Sequence, residues 1–157
     1  MPDHDQLLRE HLLYLLRGSG AHIKFEDAVK DFPPELRGKK TRALPYTAWQ
    51  LLEHMRIAQW DILDFCINPN YKELEWPAAY WPEPAAPPND AAWEKSGRQF
   101  RSDLRRMQKL VEDPATALFA RIPWGSGQTI LREALLVADH NAYHLGQLVL
   151  VRKLLAS

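Results

Sequence analysis

His140 and His144 stand four residues apart in the run Asp139-His-Asn-Ala-Tyr-His-Leu-Gly-Gln147. On a helix that spacing places two imidazoles one above the other on one face, where both can reach a single metal ion. From Ile130 to Leu155 the surrounding stretch is apolar almost all round. Arg132, Asp139, Gly146 and Lys153 recur every seven residues as a narrow strip that can meet water. Glu133, His140, His144 and Gln147 form a second polar strip about a third of a turn away, at ~100° per residue. Burying such a strip among apolar neighbours is costly unless something satisfies it. Two readings are open at this level. The histidines are ligands of a metal ion, or they are core side chains held by hydrogen bonds.

An open metal site needs a third protein ligand, and His54 is the best placed. It lies mid-helix in Leu51-Leu-Glu-His-Met-Arg-Ile57, at the edge of an apolar stripe, so its ring can point along a groove between helices. Two ligands from one helix and one from another is a common construction in helical cores, and three histidines leave coordination positions free. His4 near the N-terminus, His11 beside the first core stripe and His22 after a glycine-rich turn have no spacing that requires them at the site. Glu133 and Gln147 each lie ~10 Å along the axis from His140, which argues against direct ligation by Glu133. Glu133 is expected either to line the pocket or to favour the dipole of its helix from the first turn. Asp61, two turns beyond His54, has the same two readings. Tyr143 could offer a phenol to a substrate, but the first expectation is that it packs between helices.

Four helical patterns position these residues. The first runs from about Asp5 to Arg17, with Leu8, Leu12 and Leu15 on one face and Gly18 and Gly20 to stop it. A short helical turn around Glu26 to Lys30, a Pro33-Pro34 pair and a basic loop from Arg37 to Arg42 follow. The second pattern starts at Thr47, which has capping-box spacing with Gln50 and a Tyr46–Leu51 staple, and ends before Asn68-Pro69. The third runs from Asn89 or Asp90 to about Glu112, along a seam of Trp93, Gly97, Phe100, Leu104, Met107 and Val111. The fourth follows Gly125-Ser-Gly127 with Thr129 as its cap. No strand pattern and no repeat is evident. The expected fold is all-α: one domain spanning residues 1–157, a four-helix bundle. A long crossover joins its second and third helices. That crossover, residues 68–88, holds six prolines together with Tyr71, Trp76, Tyr80 and Trp81. The prolines exclude a helix and the aromatics argue for an ordered loop, either packed on the bundle or functional.

Twenty basic and twenty acidic residues cancel, so no overall field draws the chain to nucleic acid or anionic lipid. The basic residues of the third helix, Arg98, Arg101, Arg105, Arg106 and Lys109, alternate with acidic ones and read as a solvated face. One cysteine, Cys66, excludes an internal disulfide and suits a reducing compartment. The polar N-terminus does not look like a signal peptide, and no apolar run reaches the ~18 residues of a membrane span. The expectation is a cytoplasmic protein with no nucleic-acid or membrane partner. A homodimer through the first helix or the crossover is also expected, C2 pairs being the commonest oligomers.

Thr47 to Leu63 with His54, followed by Thr129 to Leu154 with His140-Asn-Ala-Tyr-His144-Leu-Gly-Gln147, resembles the DinB-like superfamily across nearly the whole chain. The resemblance implies an up-up-down-down four-helix bundle and a metal triad of His54, His140 and His144. It also implies the chemistry of related thiol S-transferases, which use bacillithiol or mycothiol, and of a mycothiol-dependent isomerase. The expected cofactor is one divalent ion. Imidazole-rich ligation suits zinc best, with nickel, iron or manganese as alternatives. The expected activity is a metal-dependent thiol S-transferase or hydrolase acting on a small molecule, with a low-molecular-weight thiol as a candidate co-substrate. The alternative is a non-catalytic, metal-binding stress-response bundle. No residue beyond the triad is assigned a catalytic role, and the electrophile is not legible.

Overall fold

The computed structural model describes residues 3–18 and 20–156. The chain is all-helical, with helices α1 (His4–Leu16), α2 (Phe25–Val29), α3 (Ala48–Ile67), α4 (Asp90–Glu112) and α5 (Ile130–Ala156). Single 3₁₀ turns occur at Pro34–Leu36 and Ala78–Tyr80. Among the described residues there is no strand; Arg121 and Thr129 form an isolated bridge in the loop before α5.

Local chemistry accounts for where the helices start. Thr47 and Gln50 complete a reciprocal capping box at α3. The Asn89 side chain accepts from the Ala92 amide at α4, and Thr129 Oγ1 accepts from the Arg132 amide at α5. The core stripe of α1 falls one position away from the expected one. Arg9, Leu12, Leu13 and Leu16 are buried while Leu15 is exposed. Arg9 turns the helix because its guanidinium donates to the carbonyl of Val111, in the last turn of α4, and to those of Asp113 and Thr116 in the loop that follows.

The long helices sort by direction. Along α3, residues 54, 59 and 65 meet His144, Asn141 and Trp124, so α3 and α5 are antiparallel. The start of α3 shares a core cluster with Trp93 and Phe100, and its end shares one with Met107 and Val111, so α3 and α4 are parallel. Arg9 reaches the C-terminal end of α4 while Gln108 donates to the Leu16 carbonyl, so α1 opposes α4. The order is therefore up, down, down, up, not the up-up-down-down order implied by resemblance. The reason lies in the crossover. Parallel neighbours require the chain to return along a helix length of ~30 Å, which a short turn cannot span.

Three arginines tie the segment between α1 and α3 to the helices. Arg37 donates to Asp90 and the Phe32 carbonyl, Arg101 grips Glu26 with two bonds, and Arg152 donates to the carbonyls of Ala28, Lys30 and Asp31. No helix among the described residues is long and apolar enough to cross a membrane.

Candidate metal centre

α3 and α5 bring three imidazoles to one point. His54 Nε2 lies 3.0 Å from His140 Nε2 and 3.1 Å from His144 Nε2. His54 and His144 are buried and His140 is half-buried. Nitrogens bound tetrahedrally to one zinc at ~2.0–2.1 Å sit roughly 3.3 Å apart, so these separations are within a few tenths of an ångström of what a shared ion needs. The three residues could hold a metal ion, their ligand atoms all lying within 4.8 Å of one another.

The outer nitrogens decide what can sit between the inner ones. His54 Nδ1 lies 2.9 Å from the Tyr80 carbonyl, which can only accept, so His54 carries its hydrogen on Nδ1. His144 Nδ1 donates in the same way to Gln147 Oε1 at 2.7 Å. Both Nε2 atoms therefore present lone pairs. His140 can donate one hydrogen bond to His54, but the His54–His144 contact is then two lone pairs facing each other at 3.1 Å. A cation at the meeting point satisfies both. Burial works against that cation being a proton: it pushes His54 down to about 4 and, with its two neighbours, His140 down to about 3. Burial lowers His144 as well. Neutral imidazoles with lone pairs directed inward and hydrogens donated outward are the form a metal requires, so the donor set fits the ion.

The crossover supplies the wall behind His54. The Trp81 ring stacks on the His54 ring at 3.7 Å between centroids and 4° between planes, and Tyr46 stacks on the other face of Trp81 at 4.1 Å. Asp61, buried two turns along α3 from His54, accepts from Tyr71 Oη at 3.0 Å and from Tyr80 Oη at 2.6 Å. Burial raises the Asp61 carboxyl above its ordinary value despite these bonds. Trp81 and Tyr80 have no sequence signature. The aromatic content of 68–88 marks the segment, but a proline-broken loop has no period that says which ring faces inward.

A cleft of about 650 Å³ opens beside the imidazoles between α3, α5, the crossover and the loop before α5. His54 and His140 reach it, together with Asp61 and Glu133 and the apolar side chains of Ile62, Phe65, Trp76 and Leu136. Glu133 lines the cleft while also standing in the first turn of α5, and its carboxylate is buried against Arg132 at 2.7 Å. Its two expected roles therefore coexist. Tyr143 differs from expectation. It is 65% exposed and touches the site only by edge contact with His144, because the face of α5 on which it lies has no helix over it. His4, His11 and His22 lie outside the cluster, all three exposed. Arg101 and Arg106, from the basic face of α4, are paired with Glu26 and Asp103.

No family model, no curated protein and no solved structure matches this chain.

Proposed function

We propose that this chain is a DinB-like four-helix bundle that carries one divalent ion, best suited by zinc, on His54, His140 and His144. We further propose that it uses the ion as a metal-dependent thiol S-transferase or hydrolase. The observation that carries the reading is the pair of facing Nε2 lone pairs on His54 and His144, each fixed by a hydrogen bond on the far side of its ring. When bound, the ion supplies positive charge that holds a thiol or a water molecule deprotonated near neutral pH.

The chain's own residues supply the rest. His54, His140 and His144 leave at least one position open in a four-coordinate site, and the cleft lies on the side of His54 and His140. The apolar walls of Ile62, Phe65, Trp76 and Leu136 exclude water from the body of a small substrate. Glu133 offers a carboxylate to its polar groups from α5, whereas both oxygens of Asp61 already accept from Tyr71 and Tyr80. This open arrangement favours catalysis over the alternative of a purely structural ion, which needs a fourth protein ligand. A low-molecular-weight thiol remains the proposed co-substrate.

The test is metal content by mass spectrometry after dialysis against zinc, nickel and manganese in turn, on wild type and on His144→Ala. Near one ion per chain in the wild type and its loss in the variant is the expected result. Screening for thiol transfer then follows. No retained ion in either protein returns the histidines to a packing role and removes the basis of the enzymatic reading.

A further inference from the structure

The segment Tyr71–Trp81 touches α3 at two places that are two turns apart. Tyr80 takes part in both. Its main-chain carbonyl accepts from His54 Nδ1 at 2.9 Å, and its phenol donates to Asp61 at 2.6 Å. Tyr71 donates to the other oxygen of the same carboxylate at 3.0 Å. Trp81, the next residue, covers the His54 ring face to face at 3.7 Å. Asp61 itself is buried and has no bond to any histidine.

We propose that Asp61, through the hydroxyls of Tyr71 and Tyr80, is a positioning residue for the metal centre. It holds the crossover against α3, so that the Tyr80 carbonyl fixes the His54 tautomer and the Trp81 ring fixes the His54 plane. Crossover docking and metal binding are then linked.

The physical argument has three steps. A metal-ligating imidazole needs its non-ligating nitrogen protonated, and an acceptor on that nitrogen selects this tautomer. Here the acceptor belongs to a loop and not to a helix. Its position depends on what anchors the loop; the two phenols on Asp61 anchor it on one side, and Gln50 and Thr47, which donate to the carbonyls of Pro82 and Ala85, anchor it on the other. Within the turn Ala78–Tyr80 the carbonyl and the phenol of residue 80 are carried by one Cα, so the bond of the phenol to Asp61 is an anchor placed directly on the residue whose carbonyl meets His54. Linkage makes the effect reciprocal. Whatever factor the docked crossover adds to metal affinity, the metal returns as added protection of the crossover.

The inference rests on the proposed metal site, and its test is built to separate the two. The first measurement needs no metal: the ring ¹⁵N shifts of His54 in the metal-free protein. The wild type is expected to show the Nδ1–H tautomer, and Tyr80→Phe and Asp61→Ala a mixture of tautomers. The second is cobalt affinity, followed by the visible absorption of the bound ion. Tyr80→Phe and Asp61→Ala are expected to weaken binding by about tenfold and to alter the spectrum, with Tyr71→Phe smaller because Tyr71 holds no carbonyl on His54. The third is amide exchange of residues 71–81, expected to slow on cobalt binding by the factor that the unlatched variants lose.

Asp61→Asn keeps an acceptor and is expected to restore part of the affinity. This guards against a general folding defect in Asp61→Ala. An unchanged His54 tautomer in both unlatched variants overturns the latch whether or not metal binds. Wild-type affinity in those variants overturns it too. A wild type that shows the tautomer shift but binds no cobalt leaves the latch standing as a tautomer device and refutes the metal reading alone.

Discussion

Single side chains set the conditions under which this centre can take up an ion. Protons compete with a metal for the same ligand nitrogens, so the pH at which binding weakens reports the ligand pKa values. Burial holds His54 down to about 4 and His140 down to about 3, and it lowers His144. An imidazole with an ordinary pKa near 6.5 would lose about tenfold in apparent affinity for each pH unit below that value. The lowered values move that loss toward pH 4. From pH 8 to about 5 the apparent affinity for zinc is therefore expected to fall by less than tenfold per pH unit, the most that His144 alone can contribute, against about a thousandfold per unit for three ordinary imidazoles. A steep weakening that begins near pH 6.5 would contradict the burial argument. The convergence of the three imidazoles is legible in the sequence, because His140 and His144 sit at helical spacing and His54 lies on the edge of a periodic stripe. The tautomer lock of His54 is not legible, because its acceptor is a main-chain carbonyl, which every residue carries.

At the scale of elements, the helices follow from caps and periodicity. Thr47, Asn89 and Thr129 mark starts that the sequence already places within a residue or so. What periodicity does not show is a single strong polar contact that turns a helix. The three carbonyl bonds of Arg9 bury that residue and expose Leu15, against the apolar pattern of α1. The crossover is the harder case, because its path depends on contacts distant in sequence. One of them is the approach of Gly38 to Ala86. A Cβ on Gly38 would stand 2.3 Å from the Ala86 Cβ and 2.8 Å from its Cα. Neither of these atoms can swing aside as the end of a long side chain can. The neighbouring Ala85 carbonyl accepts from Thr47 Oγ1 at 2.6 Å, so the contact lies beside the cap of α3. Gly38→Ala is expected to destabilise the fold by about 1–3 kcal/mol, the usual cost of overpacking. Chemical denaturation checks this, and a variant as stable as the wild type would mean that the loop and crossover separate freely.

For the whole molecule, the same burial that keeps the imidazoles neutral makes the metal-free fold sensitive to acid. In the unfolded chain histidines titrate near 6.5, whereas in the folded chain His54 titrates at about 4 and His140 at about 3. Between these values the unfolded state binds more protons, so stability rises with pH. The contribution is complete above about pH 6.5 and is lost as pH falls toward 4. By pH 4.5 each of the two histidines removes on the order of 2 kcal/mol, against a total of ~5–15 kcal/mol for a typical domain. Carboxylates act mainly below this window. Glu26 and Glu53 are lowered by their arginine partners and add to the loss only under more acid conditions, while the raised Asp61 opposes it from the ordinary carboxylate range upward, in the acid part of the histidine window. Excess zinc is expected to bind the neutral imidazoles of α3 and α5 and to stabilise the folded state by mass action. Urea denaturation of the chelator-treated protein from pH 7.5 to 4.5 is therefore expected to show a falling midpoint that starts near 6.5. Adding zinc at pH 6 should restore it. A midpoint that is flat over that range would mean the imidazoles titrate in the folded chain as they do in the unfolded one, and a midpoint that rises as pH falls would mean that a proton occupies the meeting point.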